Sequence, residues 1–222
     1  MDPISNYNNN NHMGMADPLL VVPMVWIDHI VALLSGAFPQ PEGVTSETTP
    51  LRMFVLRVVR LSSTSLPTLV MAHVYLSRLV GALAKRTAAG PAARPQHHAD
   101  APHRVFLAAL LVAAKLAHDP PSLPSGESVV SSASSSPMSN VAHESPATSA
   151  AALAAVCGGA YSPREVMAME RALCKALAHR LWVPAARLAE HVRGICAKAP
   201  VLAHYGGDAL LAALEAELEL SW

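Results

Sequence analysis

Apolar side chains recur along this chain at helical spacing, and one stretch stands out. From Val105 to Ala114 ten residues pass without a polar side chain, and the first charge after them is Lys115. A helix that is apolar all the way round is buried on every side. Residues 103–118 therefore read as the central helix of a bundle. A lysine at its exit is costly to bury unpaired, so Lys115 is expected at a surface or against a partner.

The same spacing predicts the other helices. Val22, Val25, Trp26, His29, Ile30 and Leu33 mark one over about 18–35, which Gly36, Pro39, Pro41 and Gly43 end. Thr49-Pro50 signals the next start, with the hydroxyl as N-cap and proline in the first turn. Leu51, Phe54, Val55 and Val58 form its stripe. Ser65-Leu66-Pro67 opens a helix carrying Leu69, Val70, Leu76, Leu79, Val80 and Leu83, and Thr87–Gln96 reads as a loop. An alanine-rich helix over about 148–156 stops at Gly158-Gly159. Ser162-Pro-Arg-Glu165 is a capping box, followed by a face of Val166, Met169, Leu173, Ala176, Leu177 and Leu181. Pro184 and Asp208 start helices over about 184–197 and 208–220. No strand pattern intervenes, so the expected class is all-α.

The organisation follows from the gaps. Residues 1–17 read as a disordered tail, 18–197 as one domain with its core at 49–183, and 198–222 as a helical extension. Residues 120–147 are a Ser/Pro-rich insertion with too few large apolar groups to offset the entropy of ordering. It holds Ser136-Pro137 and Ser145-Pro146, candidate sites for a proline-directed kinase.

Composition sharpens this in two ways. Hydrophobic residues make up 52% but aromatics only 5%, which favours helix over strand. Sixteen basic residues balance sixteen acidic ones, so nothing supplies the electrostatic attraction that nucleic-acid binding needs. Three widely spaced cysteines, Cys157, Cys174 and Cys196, suggest no disulfide framework and a reducing compartment. The run Leu19–Leu34 is interrupted by Pro23, Asp28 and His29 and Val105–Ala114 is too short, so no membrane span is expected.

Chemical motifs are few. His97, His98, His103 and Asp100 cluster without the i, i+4 pairing of a helical zinc motif, and read as a polar loop. The cysteines fall at apolar helical positions and behave as small hydrophobes. No Gly-x-Ser-x-Gly, phosphate loop or dinucleotide fingerprint is present. The expectation is a non-enzyme with no metal and no cofactor.

Several segments in order carry a resemblance: Phe-Val-Leu-Arg-Val-Val-Arg-Leu (54–61), Leu-Pro-Thr-Leu-Val-Met-Ala-His-Val-Tyr-Leu-Ser-Arg-Leu (66–79), His-Arg-Val-Phe-Leu-Ala-Ala-Leu-Leu-Val-Ala-Ala-Lys (103–115) with Asp119, Gly-Gly-Ala-Tyr-Ser-Pro-Arg-Glu-Val-Met-Ala-Met-Glu-Arg-Ala-Leu (158–173) and Leu-Trp-Val (181–183). Over roughly 50–185 the chain resembles the fungal Pho-type cyclins, the Pcl group. The resemblance implies a cyclin-box fold and a regulatory subunit that binds and activates a Pho-family cyclin-dependent protein kinase. It further implies protein substrates of that kinase as partners, no nucleic acid or membrane, and residence in nucleus or cytoplasm. It assigns kinase binding to Lys115, Glu170 and Asp119. Taken alone, Lys115 and Glu170 read as an intramolecular surface bridge, and it is the motif context that favours kinase binding. The chain departs from the family before Gly158, where the insertion leads into Thr-Ser-Ala-Ala-Ala-Leu-Ala-Ala-Val-Cys. The alternatives are a cyclin-fold adaptor without kinase activation and an unrecognised all-α enzyme.

Overall fold

The computed structural model describes residues 18–39, 49–88, 98–118 and 148–199, with Ala212 and Ala216. Seven helices and no strand are found among them: α1 (Pro18–Ala37), α2 (Leu51–Leu61), α3 (Leu66–Ala88), α4 (Ala101–His118), α5 (Ala150–Val156), α6 (Pro163–Ala176) and α7 (Ala185–Cys196). The all-α expectation holds. Asp119, Ser136, Ser145, His97, the insertion, the tail and, apart from the helical Ala212 and Ala216, the helix expected over 208–220 lie outside the described residues.

α4 is the hub, as its uniform apolarity requires. It packs against α2, α3, α5 and α6, and every residue from Phe106 to Ala114 is buried. Covering a helix on all sides takes several neighbours, each contributing one apolar face. α2 supplies Phe54, Val55 and Val58. α6 supplies Val166, Met169 and Leu173.

α3 is apolar over so many turns that its length and composition would suit a membrane. Its first half, Pro67 to Leu76, is buried between α1, α4 and α7, which is how a core helix meets the same pattern. It runs through Thr87 to Ala88, so the loop expected from Thr87 begins later. Loss of apolar spacing there reflects exposure on an outer turn, and exposure alone does not end a helix.

Local signals set several ends. Gly158 and Gly159 both take positive φ, +67° and +81°, where glycine avoids a Cβ clash. At α6 the Ser162 hydroxyl accepts from Glu165 N–H while the Glu165 carboxylate accepts from Ser162 N–H, the reciprocal box expected from sequence. α2 differs from expectation. Pro50 is its N-cap and no side chain caps it. The Thr49 carbonyl instead accepts a hydrogen bond from His103 Nε2 at 2.8 Å, tying the chain before α2 to the start of α4.

Candidate functional site

The central helix delivers its lysine to a seam. Lys115 Nζ lies 2.6 Å from Glu170 Oε1, joining the end of α4 to the middle of α6. The two helices pack side by side, so the pairing follows from the fold, with no reliance on a loop. Lys115 is 43% exposed and Glu170 18%, so the lysine end faces outward and the carboxylate is more enclosed. The bridge takes one carboxylate oxygen and one ammonium proton. Further lone pairs and N–H donors remain in the groups' own chemistry.

The same two helices also carry apolar groups. Leu116 and Cys174 are half-buried against the core and Met167 is exposed, on the same two helices. Cys174 lies one turn beyond Glu170. Burial and then the Glu170 charge raise its thiol above the ordinary range, so it stays a neutral thiol. After α6, Ala178 and His179 take positive φ, and the chain continues into Leu181-Trp182-Val183. Tyr75 Oη donates to the Leu181 carbonyl at 2.8 Å, and Arg78 Nη1 donates to the Arg180 carbonyl at 3.1 Å. Arg78 thus braces carbonyls of the segment that follows α6. Burial pushes the Tyr75 hydroxyl up to about 12, so it remains a donor. A charged pair with an apolar fringe on braced helices suits capture of a partner's helix end, whose free N–H and C=O groups seek charged partners.

The His/Asp cluster resolves differently from a metal site. Among the described residues no three or more His, Cys, Asp or Glu side chains are placed to hold a metal ion. Asp100 is buried and its carboxylate accepts from His98 Nδ1, from Arg104 Nε at 2.6 Å and, at 3.4 Å, from Tyr161 Oη. Burial alone would raise its pKa, but Arg104 and His98 more than offset that and hold it below the usual carboxylate range. Arg104 also lies 5.2 Å from the centre of the Tyr161 ring. These contacts link the α4 entrance to the segment before α6. Sequence reading missed this bracing role because Tyr161 comes 61 residues after Asp100. All three cysteines are free, and burial pushes the Cys157 thiol up to about 11.

Residues 38–182 match the cyclin N-terminal domain. No curated protein and no solved structure matches the chain. The matched stretch covers well over half of the chain and includes α2 to α6, Lys115 and Glu170. Members of this family are regulatory proteins, not enzymes, and generally bind cyclin-dependent kinases. On its sequence and its helical architecture, the chain belongs to the cyclin family.

Proposed function

We propose that this protein is the regulatory subunit of a Pho-family cyclin-dependent protein kinase, with Lys115 and Glu170 as the charges that meet the kinase's regulatory helix and Asp119 as a further kinase-binding residue implied by the motif order. The observation that carries the reading is the Lys115–Glu170 pair at 2.6 Å on adjacent helices. One acceptor and one donor, already held together, meet the orphan groups of a helix end at little cost in ordering. The kinase helix is then held where its glutamate pairs with the catalytic lysine. Differential affinity for that active arrangement is all the cyclin contributes. The Pho assignment rests on the motif order over 50–185, and nucleus or cytoplasm follows from it. Ser136 and Ser145 would then be sites where the bound kinase marks its own subunit.

Reconstitution tests this. A purified Pho-type kinase, inactive alone, gains activity toward a protein substrate when this chain is added. A stable complex without activation would instead favour the adaptor, and no complex at all would overturn the proposal.

A further inference from the structure

Three histidines from three helices meet where the cyclin domain joins its appended helices. His73 on α3 is 5% exposed. Its Nδ1 lies 2.7 Å from Nε2 of His191 on α7. His29 on α1 stands edge-on to His73 with ring centres 6.3 Å apart. Trp26 on α1 packs edge-on against His73 at 5.4 Å and stacks on His191 at 6.3 Å. α1 precedes the matched residues 38–182 and α7 follows them, so the cluster fastens elements outside the matched stretch onto α3.

We propose that this seam is a proton-operated latch: closed while His73 and His191 are neutral and share one hydrogen bond, and opened by acid, with release of α7 from α3.

Two ring nitrogens at 2.7 Å hold one proton between them, one donating and one accepting. Charging both rings would set two N–H groups against each other. A single charge is also poorly received. Arg78 on α3 and Lys198 after α7 act on His191, and His29 acts on His73, all disfavouring a cation. The cleft beside the pair, about 780 Å³, admits water and is lined by His29, Ser77, Arg187, Glu190 and Lys198. Among the described residues Glu190 is the one carboxylate lining it, and Arg187 already holds it at 2.8 Å. Burial, then His191 and His29, push His73 down to about 3. Burial, then Arg78 and Lys198, lower His191.

The sign follows from linkage. Both rings bind protons less well when closed than when open, so closure is fully favoured above the ordinary histidine value near 6.5. It weakens as pH falls below that, and for His73 the loss continues to about 3. For one such ring, the ratio of open to closed rises about tenfold between pH 7.5 and 5.5.

Amide hydrogen exchange on the full chain, corrected for intrinsic rates, reads this directly. Opening of residues 185–196 should rise at least about tenfold from pH 7.5 to 5.5 while residues 106–114 stay protected. The variant H73N/H191Q places amide groups where the paired nitrogens stand but cannot titrate, so its α7 exchange should not respond to pH. An unchanged α7 in the parent, an equal rise in 106–114, or a variant as pH-sensitive as the parent would overturn the latch. Should the variant not fold, ring-nitrogen NMR on the parent decides. Neutral His73 and His191 at pH 5.5 in the closed population support the latch, and ordinary titration near 6.5 with α7 still protected refutes it.

Discussion

Leu110 sits at the middle of the central helix and is fully buried. Replacing it with alanine reduces an isobutyl group to a methyl. At ~0.8 kcal/mol per buried CH₂, the lost transfer energy is about 2.4 kcal/mol. The site has little room to collapse, because α4 is enclosed by α2, α3, α5 and α6. If a void on the order of 50 Å³ persists, it adds about 1 kcal/mol. L110A should therefore cost about 3–4 kcal/mol. The assay is urea unfolding followed by far-UV circular dichroism, which reads the loss as a lower midpoint at unchanged slope. Met53, 54% exposed on α2, is the control: M53A should move stability by less than about 0.5 kcal/mol. A loss below about 1 kcal/mol for L110A, or equal losses for both variants, would refute the placing of α4 at the centre.

Three further outcomes are expected. D100N keeps the shape of the Asp100 site but weakens its bond to Arg104, which is 38% exposed; after discounting for that exposure the loss at pH 7 is about 1–2 kcal/mol. Because the folded pKa of Asp100 is lowered, its contribution is present above the ordinary carboxylate range and disappears as pH falls through the folded value, so acid unfolding of parent and D100N should converge. G158A forces a Cβ into a φ of +67°, 3.2 Å from Arg57 Nη2; the arginine can shift but the backbone cannot, so the loss by the same urea assay is about 1–2 kcal/mol. Deleting residues 122–146 should leave kinase affinity within about twofold and lengthen the protein's half-life in cells; equal decay would reduce the insertion to a spacer.

The fold was legible where one residue's chemistry decides a local outcome. The apolar run 105–114, the Ser162–Glu165 box and the Gly158-Gly159 stop each specify their element without tertiary help, and each forms. The start of α2 differs by one position: Pro50 takes the N-cap place, so the Thr49 hydroxyl does not cap, and its carbonyl accepts from His103 across the bundle, a contact no local pattern marks. Lys115 and Glu170 were legible as charges on helices next to one another in the fold, though their pairing depends on how α4 and α6 pack. The Asp100–Arg104–Tyr161 brace and the His73–His191 pair were not legible. Their members lie 61 and 118 residues apart, and nothing periodic marks a contact made across the bundle.

The proposed function has Lys115 and Glu170 facing a kinase as well as each other. Calorimetric affinity for a Pho-type kinase, measured with K115E, E170K and the double swap K115E/E170K, tests it most directly, with far-UV circular dichroism verifying the fold. Each single reversal should weaken binding by at least about 2 kcal/mol, roughly thirtyfold, since a charge enclosed at an interface loses its partner. The double swap restores the bridge within the chain. It presents the wrong polarity to the kinase helix, so binding should stay at least about thirtyfold weak. Parental affinity in the single variants, or recovery in the double swap, would leave the pair an internal bridge and contradict the account.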